Sequence, residues 1–241
     1  MSVVTVPARR LEWDSSFFGF PVAQAEARTP LDVEHVDVWA AREEIRCLYL
    51  LVSAEDDGAI QAAEARGFFL TGIRVTCACV ALNECPVTVA DDALVRPAEA
   101  TDIALLEQIA AIAHSETRFY SDSHFSRAAC NRLYETWIRR SCEGWADHVL
   151  VLEANGHVCG YISLHLLASG RGSIGLVAVD TLARRRGIGR SLVAAALRWF
   201  HDRGVGSVSV ATQAQNIAAL RLYQQLGFSI SCVHLWLHKW W

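Results

Sequence analysis

The 241-residue chain lacks the marks of several protein classes. Its eight cysteines (47, 77, 79, 85, 130, 142, 159 and 232) include no Cys-x-x-Cys pair, and no cysteine–histidine set has zinc-finger spacing. Residues 1–10 are too short and mixed to form a basic-then-apolar leader. No apolar run approaches the roughly 20 residues needed to cross a bilayer. Positive charge is not in excess: the net charge is −4, which argues against a nucleic-acid surface. The expectation is a cytoplasmic globular protein with no membrane or nucleic-acid partner, reduced cysteines and no metal. Cys77 and Cys79, two apart in a strand-like run, share one face and fit small core residues.

The common phosphate loops are also missing. No Lys-Ser or Lys-Thr follows a glycine-rich turn, and the first glycine of G-x-G-x-x-G is absent. What stands in their place is residues 174–191, IGLVAVDTLARRRGIGRS. An apolar run through Val177, Ala178 and Val179 predicts a buried strand. A cationic turn follows: Arg184, Arg185, Arg186, Gly187, Ile188, Gly189 and Arg190. An apolar helix over 191–200 comes next. Glycines let the backbone approach a ligand, and the first helical N–H groups have no intrahelical partner. Those groups and the positive end of the helix dipole favour an anion.

The other elements follow from pattern. Apolar spacing predicts helices over 30–45, 59–66, 101–114, 130–142 and 217–226. Strands are expected at 47–52, 68–82, 148–154, 157–167, 207–212 and 228–240, with Asn155-Gly156 as a hairpin turn. A turn is expected at Ser15-Ser16, a linker at 83–93 and a loop over 115–127. The cluster of Phe17, Phe18, Gly19 and Phe20 fits either a core or a ligand wall. Trp236, Trp240 and Trp241 fit packing within a sheet or between two copies of the chain, a homodimer. One unit recurs: a strand, a break, a short helix and Gly-Phe, at 50–68 and again at 210–228. The offset of 160 sets Gly67 against Gly227, Phe68 against Phe228, Asp56 against Asn216 and Ala63 against Tyr223.

Residues 210–228, VATQAQNIAALRLYQQLGF, contain T-x-x-x-N-x-x-A-x-x-x-Y-x-x-x-G-F. Asn216 and Tyr223 lie two helical turns apart, on one side of a helix. With Arg184-x-x-Gly187-x-Gly189 one strand earlier, the chain resembles the GCN5-related N-acetyltransferases (GNAT). Leu11-Glu12-Trp13-Asp14 with Phe17-Phe18-Gly19 resembles the TDP-fucosamine N-acetyltransferases within that family. So do Ser115-Glu116-Thr117-Arg118-Phe119 with Asp122, and Leu133-Tyr134 with Trp137-Ile138.

The resemblance implies an α/β GNAT fold: a mixed, mostly antiparallel sheet with helices on both faces. It implies a partial GNAT-like domain at 1–88 before a catalytic domain at 89–241. Acetyl-CoA would be the co-substrate, held by 177–179, 184–190 and Asn216, with Tyr223 as general acid. The acceptor would be a small nucleotide-linked 4-amino-4,6-dideoxyhexose, as in building cell-surface polysaccharide. The alternative is another amine: an antibiotic, a polyamine or a protein N-terminus. Phe18, Arg118, Tyr120 and Tyr134 are candidate substrate contacts, although the segment at Arg118 fits a solvated loop equally well. The family's carboxylate base falls at Gly72 and is therefore missing. Glu116, His114 and His165 are substitutes by residue type only, and each also fits a surface or structural role.

Overall fold

The computed structural model describes residues 8–80 and 93–241. Cys85 and all but the last residue of the expected linker lie outside the described residues, as does the expected boundary at 88. In chain order the elements are β1 (Ala8–Arg10), α1 (Glu12–Phe18), β2 (Val22–Ala27), α2 (Pro30–Arg42), β3 (Cys47–Ser53) and α3 (Asp57–Ala65). Then come β4 (Phe69–Cys79), β5 (Ala93–Pro97), α4 (Ile103–Ala113), α5 (Arg118–Ser121), α6 (Arg127–Arg140) and β6 (His148–Ala154). Last are β7 (His157–Leu167), β8 (Arg171–Val179), α7 (Ile188–His201), β9 (Ser207–Gln213), α8 (Ile217–Gln225) and β10 (Ser229–Trp240).

These elements form two compact units. The first takes Met1–Val75, Thr117–Phe125 and Cys232–Trp241; the second takes Thr76–Glu116 and Ser126–Ser231. Strands β4 and β10 supply residues to both.

In the first unit β3 is central. It pairs parallel with β2, from Val22↔Cys47 to Ala27↔Val52, and antiparallel with β10, from His234↔Ser53 to Trp240↔Cys47. A strand covered on both faces needs apolar residues at successive positions. Cys47, Leu48, Tyr49, Leu50, Leu51 and Val52 are all buried. Ala23, Ala25, Val33, Val36, Ala40, Leu48, Leu50 and Phe68 share one core. Burying each large aliphatic side chain there stabilises by roughly 1.5–3 kcal/mol. The expected turn at Ser15-Ser16 is instead helix α1. The Ser15 hydroxyl donates to the Leu11 carbonyl at 2.7 Å and accepts the Val22 N–H at 2.9 Å. A residue that often competes with a helix here ties one to β2, and Gly19, at φ +80°, ends it.

The second unit is an antiparallel run, β5–β6–β7–β8, with β9 parallel to β8. The hairpin at Asn155-Gly156 forms with both residues at positive φ, 52° and 75°. Helix α7 buries Ile188, Leu192, Val193, Leu197 and Phe200. Its packing needs small strand residues. A Cβ on Gly172 would lie 2.6 Å from the Phe200 ring, and one on Gly160 would lie 2.6 Å from the Ala178 carbonyl and 3.2 Å from Leu192. The odd-numbered side of β7 meets other elements, since Tyr161 bonds His114 at the end of α4. Helices thus lie on both faces. Glu99 caps a short helical turn, Ala100–Asp102, that leads into α4: Asp102 accepts the Glu99 N–H at 2.8 Å while Arg96 holds the same carboxylate at 2.7 and 3.0 Å. The segment 115–127 is not wholly loop: residues 118–121 form the turn of α5.

Candidate functional site

The cationic turn leaves β8 at Val179, passes through a short helical turn at Thr181–Ala183 and enters α7. Asp180 caps that short turn by accepting the Leu182 N–H at 2.8 Å. Gly187 is the N-cap of α7, at φ +81°, where a Cβ is disfavoured. Among the described residues no side chain caps α7; the Ser191 N–H is the first to reach back, to the Gly187 carbonyl at 3.0 Å. The N–H groups of Ile188, Gly189 and Arg190 therefore stand at the positive end of a 14-residue helix. Arg184, Arg185 and Arg186 are exposed around it. Arg185 itself takes φ 64°, unusual for a residue with a Cβ. Arg190 is half-buried, and its Nε finds no partner among the described residues. The side chains of Ile188 and Ala178 are buried, so these two positions can offer a ligand only their backbone. Gly189 lies close to α8: a Cβ would sit 3.3 Å from the Leu222 side chain, a tight contact.

Beside this helix start, β8 and β9 part. Their pairing runs from Arg171↔Ser207 to Ile174↔Val210 and stops, although β8 continues through 175–179 and β9 through 211–213. Val177, Ala178 and Val179 remain paired with β7. On the β9 side, 175–179 form a strand edge without a ladder partner among the described residues, of the kind that binds amides. The register between β7 and β8 also shifts between Ile162↔Val177 and Leu164↔Ile174, a β-bulge in β8.

Helix α8 follows β9. Asn216 caps it, its Oδ1 accepting the Ala219 N–H at 3.1 Å, which leaves the side-chain amide as a donor. The backbone carbonyl of Glu116 accepts a bond from Gln215, next to Asn216, at 2.8 Å. Tyr223 is 4 % exposed and lies 5.6 Å from the Phe228 ring. Burial, with Cys77 nearby, pushes its phenol well above the ordinary tyrosine range. It stays protonated at any working pH.

The cofactor candidates and Tyr223 all fall in the second unit, as does Tyr134. Tyr134 is buried and stacks on His114 at 4.7 Å. His114 Nε2 lies 3.0 Å from the Tyr161 hydroxyl. Burial, reinforced by the charge of Arg184, pushes the His114 imidazole down to about 4. His165 is also held below the usual histidine range by burial. Both are neutral at pH 7.

Phe18, Arg118 and Tyr120 fall in the first unit. The Phe18 ring lies 4.7 Å from Phe125 and 6.0 Å from Phe119. Arg118 sits over the rings of Trp236, Phe119 and Tyr49 at 4.2, 4.3 and 5.0 Å. Burial raises the nearby Asp14 carboxyl, and the charge of Arg118 opposes that rise.

Sequence reasoning missed the buried centre next to these residues. Asp122 accepts from His238 Nδ1 at 2.7 Å, Trp240 Nε1 at 2.9 Å, and His124 through its backbone at 3.0 Å and its ring at 2.8 Å. Donor atoms of Cys47, Asp122 and His238 lie within 4.8 Å of one another. Four hydrogen bonds already occupy the carboxylate, and the charge of Arg118 acts on both Cys47 and His238. The set is a hydrogen-bonded core. No local pattern marks it, since Asp122 and His238 are far apart in the chain.

The family model described as Acetyltransferase (GNAT) family matches residues 106–228. The chain is 30% identical over 231 residues to the dTDP-fucosamine acetyltransferase of Escherichia coli O6:H1, covering 95% of this chain and 96% of that protein. It is 28% identical to the spore coat polysaccharide biosynthesis protein SpsD of Bacillus subtilis, over 60% of this chain and 50% of that one. Among solved structures, a GCN5-related N-acetyltransferase from Sphaerobacter thermophilus matches with a TM-score of 0.68 at 17% identity, covering 97% of this chain and 76% of that chain. A second, from Kribbella flavida, matches with a TM-score of 0.66 at 17% identity, covering 98% and 88%.

Fold and site together define an α/β acyltransferase with the GNAT fold. The chain belongs to the GNAT acetyltransferase family and is an N-acetyltransferase. No helix among the described residues is long and apolar enough to cross a membrane.

Proposed function

We propose that this enzyme transfers the acetyl group of acetyl-CoA to the 4-amino group of a nucleotide-linked 4-amino-4,6-dideoxyhexose. The observation that carries the reading is the open, arginine-ringed start of α7 beside the parted edge of β8. The N–H groups of 188–190 with Arg184, Arg185 and Arg186 suit a pyrophosphate. The backbone of Val177, Ala178 and Val179 suits the pantetheine amides and polarises the thioester carbonyl. The free amide of Asn216 supplies one more donor to the pantetheine or phosphate arm.

In the reaction the amine nitrogen attacks the carbonyl carbon and the carbon–sulfur bond breaks. The Tyr223 phenol gives its proton to the departing thiolate. In water that transfer, from about 10 to about 8.5, costs roughly 2 kcal/mol. Burial raises the Tyr223 phenol further, but it disfavours a thiolate in the same surroundings for the same reason. The amine's proton leaves to water. A sugar amine near the α-amino range of about 8 is substantially neutral at working pH, so it tolerates Gly72 in place of a carboxylate.

The match to a dTDP-fucosamine acetyltransferase along 95% of the chain supports the nucleotide sugar. Phe18, Arg118, Tyr120 and Tyr134 are its proposed contacts, with Arg118 serving the diphosphate. Residues 1–88 are proposed as a partial GNAT-like domain, its cofactor machinery lost, ahead of a catalytic domain at 89–241. The glycine at position 72 favours one second reading, a different small amine. A thiol-release assay with acetyl-CoA across amino sugars, with and without dTDP attached, separates the two. Turnover is expected with the dTDP-linked 4-amino sugar. Turnover with polyamines or peptides alone would overturn the nucleotide-sugar assignment.

A further inference from the structure

Ser163 stands in the middle of β7 and is fully buried, yet no part of the proposed chemistry uses it. Strand β8 carries one residue too many at this point. Ile162 faces Val177 and Leu164 faces Ile174, so Ser163 alone opposes Gly175 and Leu176. A bulge of this kind leaves a backbone N–H without a ladder partner. Here the Ser163 hydroxyl takes that role and accepts the Leu176 N–H at 2.8 Å. The glycine beside it is required by space, because a Cβ on Gly175 would lie 2.6 Å from Ser163 Oγ and 2.7 Å from His165 Nε2. Two successive odd-numbered side chains of β7 therefore clamp the bulge from one side.

The consequence falls on the next residues. A one-residue change of register turns every later group of a strand to the opposite side. The bulge thus decides which N–H and C=O groups of 177–179 turn toward β7 and which toward the gap left by β9. We propose that the Ser163 hydroxyl is a positioning group: it locks the bulge so that the 177–179 backbone donors meet the thioester carbonyl. This deepens, and rests on, the acetyl-CoA reading above. Pre-set donors act on developing charge, so misaiming them affects turnover more than ground-state binding.

Ser163→Ala is expected to lower kcat about tenfold at saturating acetyl-CoA. The calorimetric Kd for CoA should stay within about twofold, because the helix start at 188–190 is untouched. Ser163→Cys fills nearly the same volume with a weak acceptor and should fall between. Hydrogen exchange at the Leu176 amide should quicken in the order Ser, Cys, Ala. A folded Ser163→Ala enzyme with kcat within twofold of wild type overturns the proposal. So does a parallel fall of kcat, CoA affinity and thermal stability, which marks a merely structural serine. If Ser163→Ala fails to fold, Ser163→Cys is read by the same criteria. Failure of the wild-type enzyme to bind CoA sinks the acetyl-CoA reading instead, and leaves the Leu176 exchange order to report on the serine's hold.

Discussion

Two stretches of this chain share one frame and differ in what they can do. Strand β3, helix α3 and the start of β4 occupy 47–53, 57–65 and 69; β9, α8 and the start of β10 occupy 207–213, 217–225 and 229. Every boundary is offset by the same 160 positions seen in the sequence. The details agree as well. Gly67 and Gly227 sit at φ +82° and +83°. The N–H of Phe68 reaches Ala63 at 3.1 Å, and that of Phe228 reaches Tyr223 at 3.0 Å. Both phenylalanines are 3 % exposed.

The neighbours of the two frames differ in kind. Strand β2 stays paired with β3 along its whole length, whereas β8 leaves β9 after Ile174↔Val210. Helix α2 begins closed: Thr29 accepts the Asp32 N–H, Asp32 accepts the Thr29 N–H at 2.9 Å, and Pro30 has no N–H to offer. Helix α7 begins open, at Gly187 with no side-chain cap. Where α8 carries Tyr223, α3 carries Ala63. Apolar packing and a left-handed glycine maintain the frame. Unsatisfied backbone and one phenol make up the proposed site.

The sharpest way to break this contrast is to spoil the open helix. Gly187→Glu forces a side chain into left-handed backbone and adds a negative charge where an anion should bind. CoA affinity by calorimetry is expected to fall more than about a hundredfold, while Asp32→Ala in α2 leaves it unchanged. Next in size, Tyr223→Phe should cut kcat about a hundredfold with little change in acetyl-CoA affinity. Wild-type turnover in that variant would remove the phenol from the mechanism.

A smaller effect is the pH dependence of stability, to which both units contribute. Burial holds His238 at about 4, against a hydrogen bond to Asp122 that raises it, with Arg118 and His124 also facing it. The folded state thus favours neutral His238. Below about 6.5 the unfolded chain binds the proton more readily, so stability present above that pH is lost as pH falls toward 4. His114, also at about 4, adds to the same window. Burial would raise Asp122, but its bonds from His238, Trp240 and His124 hold it near 2, which extends the loss to lower pH. Thermal unfolding should show the midpoint falling by several degrees between pH 7 and 4.5. His238→Asn should flatten that slope, leaving the share of His114.

The smallest effect is on the caps. Thr29→Ala and Asn216→Ala should each cost about 1 kcal/mol in urea unfolding. Only Asn216→Ala should also weaken CoA binding.

What the sequence made legible was whatever short-range pattern controls. Strands β6 and β7 fell on the expected residues because their apolar runs and the Asn155-Gly156 turn are local signals. The helix entering at Gly187 was visible for the same reason, although it begins three residues earlier than its apolar run suggests. Ser15 misled because its hydroxyl serves a helix only when Val22 is beside it. Ser163 was invisible because its meaning depends on an extra residue in another strand. Asp122 stood in a polar, aromatic segment that resembles loop, and only its bonds to His238 and Trp240 bury it.

The pairing of β3 with β10 has a consequence for how the chain is made. An apolar strand emerges from the ribosome early, and the strand that covers its free side emerges after every other described element. Throughout synthesis that edge is a template for any passing strand. Until translation delivers β10, the nascent chain must keep that edge from pairing elsewhere.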